Sequence, residues 1–468
     1  MEWFEAIALM FGSLVAIMLT GMPIAFAFMF TCIMGATLFW GGWDGIDQLA
    51  MSFYSAVANY VFLPIPLFIL MGDVIYEAGT GTLVVDAVDK LMGRFPGRLS
   101  LVTTGVGVLL GAPIGISGGC IGILGRVLLP EMEARKYKPE MSVGPIIATG
   151  TLAILIPPSA LAVFIGAMGQ VSVSKLLLAI TVPGLILAAM MTAYIIIRCV
   201  LDPTLAPSYD VPKIPRRERL KVGVLYLAPV GIILVAVMGS VFFGLATPSE
   251  SAALGVVACI AVAALYKQFS LKMIIRAAKS TTRVTVMVFF IVVGSISFGR
   301  LLATSGAVNH LVDFATGLDV NPLVIVAITQ VILLILGCFM DPASIVMITA
   351  PIFFPMVKEL GFDMLWFATI SLLSVQLGLI SPPFGLDVYT MKALAPPHIT
   401  LGQCFKASTP YFGMALLLLV VLFFALSTRT FATLDNLMGL LHAAAPMAVV
   451  ASGLALVTAD SMADAAEK

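Results

Sequence analysis

Apolar residues run along this chain in long blocks rather than in alternation or in one-sided stripes. The blocks fall at roughly 3–20, 22–40, 48–79, 99–134, 142–170, 176–198, 222–243, 249–266, 284–303, 322–357, 363–394 and 407–428. A helix needs about 20 such residues to cross hydrocarbon, so the pattern predicts an all-α polytopic membrane protein. Several blocks are too long for one crossing or carry internal Pro and Gly. Blocks 99–134 and 322–357 suit re-entrant helical hairpins. Blocks 142–170 and 363–394 read as helices broken at Pro157-Pro158 and Pro382-Pro383.

Composition strengthens this picture. Of 468 residues, 60% are hydrophobic and 11% charged, and the mean hydropathy is +1.10. A soluble domain is about half apolar and about a quarter charged, so too few polar residues remain to cover a water-facing surface. With 25 Lys+Arg against 25 Asp+Glu, the chain also lacks the basic footprint of a nucleic-acid binder. The six cysteines (Cys32, Cys120, Cys199, Cys259, Cys338 and Cys404) stand singly, with no C-x-x-C pair. They read as small hydrophobes between helices. The first basic residue is Lys90, whereas a signal peptide needs a basic start. The first helix is therefore expected to be retained as a span.

The basic residues give the topology. Nineteen of the 25 lie in five clusters: Lys90/Arg94/Arg98; Arg135/Lys136/Lys138; Arg198 with Lys213 to Lys221; Lys267 to Arg283; and Lys392/Lys406. The positive-inside rule places all five in the cytoplasm. Block 99–134 has basic clusters at both ends, so it enters from the cytoplasm and returns, with its tip near Gly115–Gly119. The flanks of 322–357 carry a single basic residue, Lys358, so that hairpin belongs to the opposite side.

Sliding the chain against itself by about 225 residues brings two halves into register. Leu128-Leu129-Pro130 falls on Phe353-Phe354-Pro355, Ile156-Pro157-Pro158-Ser159 on Ser381-Pro382-Pro383-Phe384, and the turn at Gly111–Gly118 near Gly337–Ser344. Each half is a hairpin followed by a Pro-Pro-broken helix, and the charges orient the halves oppositely. Irregular backbone at membrane depth is tolerated only where protein buries it or a cavity wets it. Broken helix ends offer N–H groups to anions and C=O groups to cations. Two tips and two breaks from inverted halves describe the midplane site of an inverted-repeat secondary transporter.

The motifs resemble a known family. Thr20-Gly21-Met22-Pro23-Ile24-Ala25-Phe26, Ile65-Pro66-Leu67-Phe68-Ile69-Leu70-Met71-Gly72 and Gly150-Thr151-Leu152-Ala153-Ile154-Leu155-Ile156-Pro157-Pro158-Ser159 are similar to the large membrane (M) subunit of TRAP transporters, within the wider ion-transporter superfamily. So are Thr247-Pro248-Ser249-Glu250-Ser251-Ala252-Ala253, Met340-Asp341-Pro342-Ala343-Ser344 and Ser381-Pro382-Pro383-Phe384-Gly385, in the family's order from about residue 5 to 428. The resemblance implies an elevator-type, sodium-coupled permease in the bacterial inner membrane. It implies as partners a small four-helix membrane subunit and a periplasmic binding protein that delivers an organic acid.

Carried over by position, the resemblance implies two sodium sites. The first would use Ser117, Gly118, Gly119, Gly150 and Pro157, and the second Gly337, Asp341, Ser344, Gly378 and Ser381. Backbone carbonyls and hydroxyls suit a hard cation without burying a charge. Substrate candidates are Arg126, Thr151, Pro158, Ser159 and Pro383. No cofactor is implied beyond sodium as coupling ion. One departure stands out: the family's first tip reads Ile-Ser-Gly-Ser-Ser, whereas here it is Ile116-Ser117-Gly118-Gly119-Cys120, two hydroxyls fewer.

The implied organisation is scaffold helices at 1–80, an interfacial arm at 81–98 and a first transport repeat at 99–175. Scaffold helices and a cytoplasmic loop (199–221) fill 176–266, followed by an arm and connecting helix at 267–321. The second transport repeat covers 322–400, a last span 401–428, and a tail 429–468 in which Leu437 to Val457 is apolar enough for an additional helix. The basic arms are also suited to anionic lipid headgroups.

Single residues carry competing roles. Arg126 either meets a substrate carboxylate or snorkels to the interface. Asp341 either ligates sodium or caps the helix opening at Pro342. Glu250 reads as half of a capping box with Thr247. Asp387 and Lys392 either pair or face a cavity. His310, His398 and His442 are scattered, so no metal site is expected from them. No phosphate loop or H-E-x-x-H occurs, and no catalytic set of side chains stands out, so neither ATP hydrolysis through that loop nor an intramembrane enzyme is expected. The alternatives are a stand-alone organic-anion transporter, a channel, or a non-transporting subunit of a membrane complex.

Overall fold

The computed structural model describes residues 3–91, 95–115, 117–208, 215, 222–317 and 320–427. All regular elements among them are helical. Among the described residues, seven helices are long and apolar enough to cross a membrane, or eight if one bent pair counts as a span. The tail expected to carry an additional helix lies outside the described residues.

The first hairpin pairs Arg98–Ile114 with Ser117–Ala134. Its first arm ends at Gly115, whose left-handed backbone (φ +63°) a side chain would strain. The second hairpin pairs Pro322–Phe339 with Pro342–Glu359. Asp341 caps its second arm, its carboxylate accepting from the Ser344 amide at 3.1 Å and also from the Ser344 hydroxyl. The first broken helix is Pro139–Leu155 plus Ala160–Met168, bent by 46°. The second is Met364–Gly378 plus Leu386–Leu394. Both interruptions contain a cis Pro-Pro bond.

These elements form the centre of the molecule. Every residue from Met141 to Leu155, and from Trp366 to Gly378, is buried. A helix that is apolar all round belongs inside the bundle. Each first hairpin arm lies against the broken helix of its own repeat, through small residues. A Cβ on Gly111 would come within 2.9 Å of the Ala153 Cα, and one on Gly337 within 2.7 Å of the Gly378 Cα. The same close approach therefore recurs at matching positions of the two repeats.

Outer helices carry the lipid-facing character. Val173–Leu201, Ala228–Phe242 and Pro248–Leu265 expose Val182, Ile232, Val235, Phe242 and Val257. The capping box expected at Glu250 is present: the Thr247 amide donates to Glu250 Oε2 at 2.7 Å, and the Glu250 amide to Thr247 Oγ1 at 3.3 Å.

The segment expected as an arm at 267–283 is the first part of one continuous helix, Leu271–Thr304. At about 1.5 Å per residue its length exceeds the hydrocarbon core. Its basic end reaches Pro64–Glu77 through Arg276 to Glu77 (2.6 Å) and Thr281 to Asp73 (2.7 Å). Its far end reaches Trp43–Val57 through Arg300, which donates to Ser52 at 2.9 Å and Ser55 at 3.0 Å. Between them, Ser295 donates to the Met347 carbonyl of the second hairpin. The other basic arm, Thr80–Leu91, is tied to the first hairpin by Arg98–Asp89 at 2.8 Å, with Arg98 buried.

Candidate functional site

The first tip and the second broken helix meet. Ser117, the first residue of its helix, donates through its hydroxyl to Asp387 Oδ1 at 2.6 Å. Asp387 stands at the start of Leu386–Leu394, where its amide donates to the Leu379 carbonyl at 3.0 Å across the break. The helix thus opens from an interruption that a backbone bond closes. Asp387 Oδ2 points at the first broken helix, 3.1 Å from where a Cβ on Gly150 would lie. Ser117, Gly150 and Asp387 thus converge, although they sit on three different elements.

Of the first expected set, Ser117, Gly150 and Pro157 are buried and Gly118 and Gly119 half-buried. A Cβ on Gly118 would meet nothing within 4 Å. Among the described residues there is therefore open space beside Gly118, whereas a Cβ on Gly119 would come within 3.0 Å of Ile114 Cγ2. Cys120 is buried one position beyond Gly119.

The second expected set divides into two groups. Gly337, Gly378 and Ser381 come together: the Ser381 hydroxyl donates to the Gly378 carbonyl at 3.2 Å and lies 2.9 Å from Cys338 Sγ. Asp341 and Ser344 form the cap of the second tip. That capping role is one of the two expected for Asp341.

The substrate candidates are scattered more widely. Ser159 is buried and caps Ala160–Met168, accepting from the Ala162 amide at 3.3 Å. Thr151 is buried and donates to the Ala148 carbonyl at 2.6 Å. Pro158 is buried, whereas Pro383 is exposed. Arg126 lies on the exposed side of its helix, where Nη1 donates to the Tyr76 hydroxyl at 3.4 Å. The structure does not bring it to the Ser117–Asp387 cluster.

Lys392 and Asp387 do not pair. The Lys392 ammonium donates to the Ile399 carbonyl at 2.6 Å, leaving Asp387 to Ser117. The six cysteines are unpaired and buried.

A family model described as "Tripartite ATP-independent periplasmic transporter, DctM component" matches residues 11–427. The chain belongs to the DctM family. It is 29% identical over 381 residues to the C4-dicarboxylate TRAP transporter large permease protein of Pseudomonas aeruginosa, covering 81% of this chain and 87% of that one. It is 28% identical to the sialic acid TRAP large permease of Vibrio cholerae, covering 83% and 90%. With the ectoine/5-hydroxyectoine TRAP large permease of Ruegeria pomeroyi it shares 25% identity, over 89% and 96%. Among solved structures it is similar to the YdaH transporter of Alcanivorax borkumensis, with a TM-score of 0.57 and 18% identity, over 82% and 89% of the two chains. That likeness speaks to the fold. As a DctM component, the chain is a multi-pass membrane protein and the large permease subunit of a TRAP system.

Proposed function

We propose that this permease takes up an organic acid from a periplasmic binding protein, driven by sodium, working with a small membrane subunit in a bacterial inner membrane. The relatives named for C4-dicarboxylates, sialic acid and ectoine all handle molecules bearing carboxylates, which supports that substrate class. The observation that carries the reading is the meeting of tips and breaks: Ser117 of the first tip and Gly150 of the first broken helix both lie against Asp387, while in the second repeat Gly337 meets Gly378 and Ser381 bonds to the Gly378 carbonyl. Such sites offer hydroxyls and freed carbonyls, the ligands a hard monovalent cation takes.

Alternating access by an elevator movement fits the unequal exposure of the two breaks. Pro157, Pro158 and Ser159 are buried, whereas Pro382, Pro383 and Phe384 are exposed. One face of the site is thus enclosed and the other open. In this reading the two repeats move as one body against a scaffold braced by Leu271–Thr304, whose polar contacts to Asp73, Glu77, Ser52 and Ser55 hold it to Pro64–Glu77 and Trp43–Val57. The test is uptake into proteoliposomes holding this chain and its small partner, under an inward sodium gradient, with loaded binding protein added or withheld. Uptake that requires both supports the proposal. Uptake that requires sodium alone makes the chain a stand-alone transporter, and no uptake with any loaded binding protein contradicts a transport role.

A further inference from the structure

Asp387 belongs to neither of the two expected sodium sets, yet it is a charge in the core. The side chain is 3% exposed. Among the described residues no cation pairs with it, since Lys392, one turn further along the same helix, is committed to a carbonyl. Its helix packs against the second arm of the first hairpin, the first broken helix and Leu401–Ser427. The basic residue of that hairpin arm, Arg126, faces away, exposed and bonded to Tyr76. Lys406 on the last helix is exposed as well. A carboxylate buried without a positive charge beside it is strongly disfavoured.

Three features mark where that positive charge belongs. Oδ1 is occupied by the Ser117 hydroxyl, but Oδ2 is buried and has no hydrogen-bond partner among the described residues. The Gln376 side-chain amide faces the same carboxylate. It is fully buried, and neither of its polar atoms meets hydrogen-bond geometry with any described residue. Gly150, which presents no side chain, lets the backbone of the first broken helix come close to Oδ2: a Cβ there would lie 3.1 Å from Oδ2 and 2.9 Å from Ile121 Cδ1. A buried carboxylate oxygen without a partner, beside a hydroxyl and an unsatisfied buried amide, is the environment of a bound cation.

The geometry points to Asp387 as a ligand of the sodium ion at the first hairpin tip, with Asp387 Oδ2, Gln376 Oε1 and Ser117 Oγ as oxygen donors. This assignment rests on the sodium-coupled reading above and adds to the first site a charged ligand from the second repeat. The charge balance favours a monovalent ion. Among the described residues no three His, Cys, Asp or Glu side chains gather anywhere, so one carboxylate faces one positive charge, too little to hold a divalent ion firmly.

The arrangement also supplies coupling. Without sodium, closing the tip onto the second broken helix buries a bare carboxylate. With sodium, the same closure buries a neutral pair. The ion therefore binds the closed tip better than the open one, which is the condition for a ligand to shift a conformational equilibrium.

The test follows sodium binding rather than uptake. The purified permease with its small subunit is unfolded thermally in choline chloride with sodium chloride titrated in at constant ionic strength. The wild-type midpoint is expected to rise with sodium. Asp387→Asn keeps the acceptor for Ser117 and removes the charge. Its half-saturating sodium concentration is expected to rise by on the order of tenfold or more, while its midpoint in choline equals or exceeds that of the wild type. An identical sodium response in wild type and Asp387→Asn overturns the assignment and leaves sodium coupling intact. No sodium response in the wild type overturns the sodium reading itself. Gln376→Met preserves shape and removes the amide oxygen, so it too is expected to weaken the response severalfold. If Asp387→Asn yields no folded complex, an unchanged response in Gln376→Met overturns the site equally.

Discussion

Ser117 and Asp387 lie 270 residues apart in the chain, and the hydroxyl of one donates to the carboxylate of the other at 2.6 Å within the protein interior. The bond joins the tip of the first repeat to the broken helix of the second. Whatever moves the tip therefore changes the surroundings of a buried charge.

The contact of Gly337 with Gly378 leaves no room for a side chain. A Cβ on Gly337 would meet backbone at 2.7 Å, and one on Gly111 would meet the Ala153 Cα at 2.9 Å. Backbone cannot rotate away as a side chain can. Gly337→Ala and Gly111→Ala are each expected to destabilise the permease by about 1–3 kcal/mol, read as a lowered unfolding midpoint in detergent. A midpoint unchanged in both would show that the hairpins do not pack on the broken helices as described.

Arg98 is expected to be more sensitive than any exposed cation. It is buried and pairs with Asp89 at 2.8 Å. Removing one partner of a buried pair leaves the other uncompensated, which costs about 3–5 kcal/mol. Asp89 is partly exposed, so the lower end is expected for Arg98→Met. The same unfolding measurement checks it, with Arg135→Met, on a half-exposed pair, as the milder comparison.

Thr247→Ala removes the hydroxyl that caps Pro248–Leu265. The expected loss is about 1 kcal/mol, with sodium-dependent uptake retained because the cap is remote from Ser117 and Asp387. Loss of sodium dependence in this variant would tie the outer helix to the ion sites.

Arg126 faces away from the buried cluster and donates to Tyr76. Arg126→Gln is accordingly expected to leave the half-saturating sodium concentration of uptake unchanged. A shift of severalfold would place the guanidinium at the site, as the sequence allowed, in a conformation other than this one.

Much of the fold could be read in advance because it is encoded locally. Gly115 and the Asp341-Pro342 pair mark the two tips, and the Pro-Pro pairs mark the breaks, so the blocks 99–134 and 322–357 correspond closely to Arg98–Ala134 and Pro322–Glu359. Chain order could not reveal contacts between repeats. Asp387 looked as ready to pair with Lys392 as with anything else, and only the fold brings Ser117, Gly150 and Gln376 around it. Continuity of helices was equally hidden. No Pro interrupts Leu271–Thr304, so the basic arm at 267–283 runs straight into the span beyond it. The block 48–79 hid the opposite feature, a break at Asn59, whose side chain accepts from Val61 before Pro64 starts a new helix.

Sodium titration of uptake in Ser117→Ala and Ser344→Ala, each against the wild type in proteoliposomes with the small subunit and loaded binding protein, tests the central claim most directly. Ser117 bonds to Asp387, and Ser344 to Asp341 at the other tip. The account predicts that each variant needs severalfold more sodium for half-maximal uptake. Unchanged sodium dependence in both would contradict the assignment of the ion sites to the hairpin tips.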